Sequence, residues 1–402
     1  MLRDKLQRFS RQISPADAIQ ADSRTNHHLV SLAQVLDAEI FAGSGGEFLK
    51  IVTDFNETYL HGHATFKSYS ELPRLSMGNF PFPDQPVDFD IGRLLFIDTE
   101  TTGLGGSGTV PFLIGVGSMV ESGFQVRQYF LPDYPDESAM LEAIRAEIHS
   151  DSIIVSYNGK AFDMPIISDR LIIHRIERNL EFGGHIDLLF HTRRLFRRRL
   201  QDCTLANVER EILGYFRNDD IPGFLVPSIY FDWLATGQTG ELRHVMKHNL
   251  DDIVSLFFLL HHIIEIFERP EERLFEPDDI LSFAKICESR RDNGAICRFL
   301  EKYEADLYNW RRYDILFLEA LACKRVGNPH KAAEIWENIA GSNTALSYFA
   351  HIELAKYYEH RIRDITAAMK QAEKAVPICP RNELHRTALK KRTERLNKKL
   401  SF

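Results

Sequence analysis

Apolar and polar positions follow different periods in different parts of the chain. Residues 94–97, 110–120 and 124–131 are apolar, β-rich runs divided by turn residues such as Glu121-Ser122-Gly123. They predict three strands opening a sheet in antiparallel order. Over 136–149 the spacing becomes helical, with Met140, Leu141, Ile144 and Ile148 on one side. Residues 153–157 are continuously apolar, as in a strand covered on both faces. Asp163 then opens an amphipathic segment, and 185–190 predicts a further strand containing Asp187. A short helix is expected over 205–213, another from 229, and a long one after His248 whose stripe is Ile253, Leu256, Phe257, Leu260 and Ile264. Upstream, a polar arm leads into strands at 48–52 and 58–66, then a proline-rich linker at 81–86. From about residue 276 the pattern is helical throughout. The fold class is therefore α/β, a mixed sheet flanked by helices, followed by an all-α region. The domains expected are 1–90 (arm and accessory strands), 91–270 (α/β) and 276–402 (helical, with a basic tail).

Composition narrows the class. The 402 residues are 44% apolar and 26% charged, enough for two or three globular domains. A net charge of -8 means that any nucleic-acid contact rests on local basic patches. Cys203, Cys287, Cys297, Cys323 and Cys379 are scattered without a Cys-x-x-Cys, which predicts reduced thiols in a cytoplasmic protein. The first residues lack the apolar run of a signal peptide, and no stretch reaches the ~18 apolar residues of a membrane span.

The candidate chemistry begins at Asp98 and Glu100. One residue apart on a strand, they leave the same face, and two adjacent carboxylates call for a cation unless both are simply solvated. Oxygen donors suit Mg²⁺ or Mn²⁺. Thr101-Thr102-Gly103 ends this strand in a turn. Asn158-Gly159 marks another turn just before Asp163, which either stabilises a helix start or serves a site at the strand ends. His248 and Asp252, four apart, share a helical face, whereas Asp251 points away. Arg193 with Arg197 and Arg194 with Arg198 make the one basic patch of the first half, either a solvated face or a phosphate track. The histidines of His61-Gly62-His63 lack a third metal ligand nearby and suggest a structural role. The basic stretch after Arg381 is equally a nucleic-acid contact or a solvated helix.

Asp98-Thr99-Glu100, then Asn158 with Phe162-Asp163, then Asp252 resemble in order the motifs of the DEDD 3′–5′ exonucleases, a ribonuclease-H-like superfamily. His248 departs from that pattern, standing at the spacing where such enzymes carry a tyrosine. Residues 90–265 are most similar to YprB-type bacterial ribonuclease-H-like proteins, through Asn158-Gly159-Lys160, His185-Ile186-Asp187, Asp220-Ile221-Pro222-Gly223 and His248-Asn249. The alanines around 320, 332 and 333 recur around 355, 367 and 368, a step of about 35 that resembles tetratricopeptide repeats. The resemblance implies a two-metal exonuclease on single-stranded DNA or RNA. Asp98, Glu100, Asp163 and Asp252 would hold two Mg²⁺ or Mn²⁺ ions, and His248 would orient or deprotonate the water. Thr101, Thr102, Asn158 and the arginines at 193, 194, 197 and 198 would meet the strand, and the repeats would offer a protein partner a surface. The rival is a catalytically weak or inactive scaffold binding proteins through those repeats.

Overall fold

The computed structural model describes residues 29–67, 91–103 and 108–401. The polar arm before residue 29 and the 81–86 linker lie outside them. The chain divides into two compact units. One holds the residues up to Arg193 together with Asp202–Ile264, and the other holds Arg194–Gln201 with Glu265 onward.

The first unit is built on a seven-stranded sheet. In chain order its strands are β1 (Glu39–Gly43), β2 (Gly46–Asn56), β5 (Leu94–Thr101), β6 (Pro111–Val120), β7 (Gly123–Phe130), β8 (Ile153–Ser156) and β9 (Gly184–Asp187). The short β3 (Leu60–His61) and β4 (Ala64–Thr65) form a separate hairpin, where a single strand over 58–66 was expected. The spatial order is β1-β2-β7-β6-β5-β8-β9. β5, β6 and β7 are antiparallel, as the three apolar runs predict, and β8 and β9 join parallel to β5. β1 and β2 extend this same sheet through β7, so the upstream strands are part of it.

Each face of the sheet is covered. On one, Phe96, Phe124 and Phe257 cluster with ring centroids 5.0–5.6 Å apart, which seats the Leu242–Glu268 helix. On the other, Leu95, Ile97, Ile114 and Val116 pack in one core with Met140, Leu141 and Ile144 of the Glu137–Glu147 helix and Ile167 and Leu171 of the Asp163–Ile173 helix. Such near-continuous burial is typical of a strand between two helical layers.

Further expectations need correction. The long helix begins at Leu242, so His248 lies inside it and does not open it. The 185–190 strand stops at Asp187, and Leu188–Phe196 is helical. The Asp187 carboxylate accepts the Leu189 N–H at 3.1 Å and starts the helix, a capping role that a short apolar run does not reveal. The 205–213 helix is regular only over Leu205–Val208 and then widens into a π turn, Glu209–Leu213, which Gly214 ends at φ 67°.

The second unit is all-α. Tyr313–Arg325, Pro329–Ala340, Ala345–Tyr357 and Ile365–Ala375 pack in succession and are followed by Glu383–Leu400. Ala320, Ala332, Ala355 and Ala368 are fully buried, which lets neighbouring backbones approach. Asp292, Asn328 and Asp364 each cap a helix through the N–H three residues on. The Cys297 and Cys323 thiols meet at 3.4 Å, and all five cysteines are free. Among the described residues, no helix is long and apolar enough to cross a membrane.

Candidate active site

The site lies at the C-terminal end of β5, the edge where open α/β sheets place their ligands. Asp98 pairs across with Gly115 of β6, and a bulge follows between Glu100 and Thr101. Gly115 is required there, because a Cβ would come within 2.4 Å of the Asn249 Oδ1. The missing side chain lets Asn249 descend from the 242–268 helix and donate to Asp98 Oδ2 at 2.9 Å and to the Asp98 carbonyl at 3.2 Å. Gln128 of β7 fixes the Asn249 amide by donating to its oxygen at 2.9 Å and to the Met246 carbonyl at 2.8 Å.

Glu100, His248 and Asp252 converge beside Asp98, each offering a ligand atom within 4.8 Å of the others. His248 Nε2 lies 3.9 Å from Glu100 and 3.7 Å from Asp252. Its Nδ1 is 2.7 Å from Asp220 Oδ1 and 3.2 Å from Arg217 Nη1, so a proton on Nδ1 is directed at Asp220, and Nε2 faces the acids. Behind them sits Arg217, only 6% exposed. It donates to Glu209 at 2.6 and 2.7 Å and to Asp252, with Asp220 at 3.5 Å. Asp251 is turned away as expected and is engaged by Lys247 at 2.6 Å and Tyr215 at 3.0 Å.

Asp163 is reached from the opposite face of β5. The Thr99 hydroxyl, pointing away from Asp98, donates to Asp163 Oδ1 at 2.5 Å. Gly159 makes room, since a Cβ there would meet Ser156 Oγ at 2.4 Å and Asp163 Oδ2 at 2.9 Å. Asn158 takes a left-handed φ of 68°, and its N–H donates to Asp187 at 2.8 Å, with that of Lys160 at 3.1 Å. Asp187 therefore holds the turn that delivers Asp163. The Thr101 hydroxyl donates to the Gly103 carbonyl at 2.7 Å, and Thr102 Oγ1 accepts the Val110 N–H at 3.0 Å, so both threonines brace the loop after β5.

The acids are under-neutralised. Burial, then Asp252, Asp163 and Glu100, push Asp98 well above the carboxylate range. Burial raises Glu100 to about 8 against the pull of His248, with Asp252 and Asp163 adding to the rise. Burial raises Asp163 to about 6 despite the Thr99 hydrogen bond. Burial would lower His248, but Asp252, Glu100 and Asp220 outweigh it and hold it above its ordinary value. Buried acids short of positive charge, with oxygen donors in the majority, fit a hard divalent cation. The closest trio differs from the expected quartet. It includes His248, while Asp98 and Asp163 sit within electrostatic reach of it.

The arginine patch is split between the units. Arg193 belongs to the first. Arg194, Arg197 and Arg198 belong to the second, where Arg199 pairs with Asp279 at 2.9 Å and Arg194 donates to Ser289 at 3.4 Å. Arg193, Arg197 and Arg198 are exposed. His61 is buried, stacked on Tyr215 at 3.7 Å between centroids, and pushed down to about 3 by burial and then by Arg217 and Lys247, as suits a packing role. Arg217, Asp220, Glu209, Thr99, Asn249 and Gln128 were not marked as site residues by sequence reasoning. Asp220, Asn249 and Thr99 stand in the segments that carry the family resemblance, while nothing local in the sequence points to Arg217, Glu209 or Gln128.

A family model described as the RNase_H superfamily matches residues 95–264, the span that carries every one of these acids. The uncharacterized protein YprB of Bacillus subtilis (strain 168) is 32% identical over 324 residues, covering 79% of this chain and 78% of YprB. Among solved structures, the family B DNA polymerase of the hyperthermophilic archaeon Pyrobaculum calidifontis aligns with 16% identity and a TM-score of 0.35, over 51% of this chain and 30% of the polymerase. A likeness that partial says nothing about activity. The extent of the match to YprB and the superfamily pattern across the sheet unit together make this chain a member of the RNase H-like superfamily, in the family of YprB.

Proposed function

We propose that the chain is a metal-dependent nuclease that hydrolyses phosphodiester bonds of single-stranded nucleic acid as a 3′–5′ exonuclease of the DEDD type. Membership of the RNase H-like superfamily suggests nuclease activity in general. The observation that carries the finer reading is the convergence of Glu100, His248 and Asp252 within 4.8 Å, with burial and neighbouring acids raising the pKa of Asp98 and Asp163 beside them. Residues 91–270, with the strands at 39–56, form the nuclease domain in this reading. Residues 276–402 form a tetratricopeptide-like domain open to a protein partner.

Asp98, Glu100, Asp163 and Asp252 would hold two Mg²⁺ or Mn²⁺ ions, with His248 beside them. Bound there, such ions offset the carboxylate charge and acidify a water. With the acid charge offset, His248 would become neutral; Asp220 would then hold its proton on Nδ1, and Nε2 would be left to accept a proton from a water on the acid side. Asn249 and Gln128 hold Asp98 against rotation, and Thr99 does the same for Asp163. Asn158, Thr101, Thr102 and the exposed Arg193 would line the path of the strand at the sheet edge, and Arg194, Arg197 and Arg198 would offer phosphate contacts on the second unit.

One observation favours the weaker reading of an inactive scaffold. Arg217 already occupies Asp252 Oδ1 with a full positive charge. The decisive experiment is hydrolysis of 5′-labelled single-stranded DNA and RNA by the full chain with Mg²⁺ or Mn²⁺. A ladder shortening from the 3′ end is expected, with Asp98→Ala slower by about a thousandfold or more. A single internal cut rules out the exonuclease, and no cleavage with either ion leaves the scaffold.

A further inference from the structure

A cleft of about 430 Å³ opens within the helical unit. Five cations line it, Lys324, Lys356, Arg361, Arg392 and Arg395, against one carboxylate, Glu353. Glu353 is already paired with Lys324 at 2.6 Å and with Lys356. A second carboxylate, Glu359, has no exposed side-chain surface. It pairs with Arg395 at 2.6 Å, Lys399 at 2.8 Å and Arg392 at 3.4 Å. Positive charge is thus in excess, and Arg361 is exposed without an ion pair among the described residues. Arg392 records the imbalance. Its side chain is 15% exposed, and burial and then repulsion from Arg395 hold it below the ordinary guanidinium range despite Glu359.

The walls also carry aromatic groups. The Tyr357 hydroxyl is fixed to His330 Nδ1 at 2.7 Å, which sets the plane of its ring. Trp336 is almost fully buried, and its indole N–H has no partner among the described residues. Guanidinium forks match phosphate oxygens in pairs, and a fixed ring gives a base a stacking surface. The volume falls in the range of small-ligand pockets. An acidic peptide would use the cations but leave the Tyr357 ring without a stacking partner.

We propose that this cleft binds a nucleotide, its phosphate held by Arg361, Lys356 and Arg392 and its base laid against Tyr357. The phosphate can belong to a strand or to a free nucleotide, and the chemistry of recognition is the same. Binding here needs no cleavage at the sheet edge, so it is measured with divalent ions chelated, where an inactive nuclease site leaves the readout intact.

The test is fluorescence anisotropy of the full chain with a fluorescein-labelled single-stranded oligonucleotide, and with adenosine monophosphate as competitor. Arg361→Glu leaves every described ion pair in place, and Lys356→Gln is a second variant should the first fold poorly. Each is expected to weaken oligonucleotide binding at least about fivefold and to reduce the slope of log affinity against log salt by about one. Displacement by adenosine monophosphate, weakened in the variants, identifies the free nucleotide as a source. Loss of oligonucleotide binding in the variants without such displacement identifies the strand. Unchanged binding in both variants overturns the proposal. So does equally strong displacement by poly-glutamate, which would assign the cleft to an acidic protein segment.

Discussion

Arg217 in the sheet unit and Glu359 in the helical unit are mirror images. Arg217 is a buried cation among Glu209, Asp220 and Asp252. Glu359 is a buried carboxylate among Arg392, Arg395 and Lys399. Each hub has more partners than its single charge can balance, so each surrounding shell keeps a surplus. Around Arg217 the surplus is negative, and burial, reinforced by the neighbouring acids, pushes up Asp98 and Glu100. Around Glu359 it is positive, and the glutamate itself is held down to about 2, with Arg395 and Lys399 overcoming the effect of burial. A protein that needed only stability would match such charges or replace them with apolar side chains. The two shells differ in what would complete them, a cation in one and an anion in the other.

The comparison breaks most visibly if the hub is removed. Arg217→Met should destabilise the sheet unit by about 3–5 kcal/mol, because Glu209 and Asp252 would remain buried without their cation. Urea unfolding with metal chelated measures this. A loss below about 1 kcal/mol would mean that the acids are neutral in the resting protein and that Arg217 is not what holds them.

The next effect concerns the sign of the pH dependence, which should be opposite in the two shells. Glu359 is depressed from 4.5 to about 2, so its contribution is complete above pH 4.5 and is lost as the pH falls through 2. That contribution is on the order of 3 kcal/mol. Glu100 is raised from 4.5 to about 8, so the folded state binds the extra proton between those values and stability falls as the pH rises through that window. Denaturant titrations in chelator should show Glu359→Gln flattening the acid limb and Glu100→Gln flattening the neutral-to-alkaline limb. Matching slopes in both variants would remove the contrast.

The sequence makes the two shells unequally legible. Asp98 and Glu100 are readable because a strand repeats every two residues, and His248 and Asp252 because a helix brings residues four apart together. The sheet order around β5 follows from the apolar runs for the same reason. Arg217 and Asp220 reach the site from a loop about 30 residues before His248, and no local period encodes a contact of that kind. Thr99 looks like a filler between two acids, and only the register of β5 shows that it holds Asp163 from the other face. The shell around Glu359 was hidden more completely. Arg392, Arg395 and Lys399 read as one basic run on a terminal helix, and their carboxylate lies in a π turn that follows the 345–357 helix.

The smallest effect tests how finely the first shell is tuned. Asp220 is 26% exposed and accepts the Nδ1 proton of His248 at 2.7 Å without lying in the closest trio. It acts through His248, as a positioning residue. Asp220→Asn keeps an oxygen that can accept the same proton but removes the charge that holds the tautomer and the ring angle. Turnover on labelled oligonucleotide should fall about tenfold, roughly 1.4 kcal/mol, with KM unchanged. Asp220→Glu, with its longer reach, should recover part of the loss. A change in KM with kcat preserved would instead put Asp220 in contact with the strand. Unchanged turnover would mean that the 248–252 helix alone orients the imidazole, leaving Asp220 as one more anion drawn to Arg217.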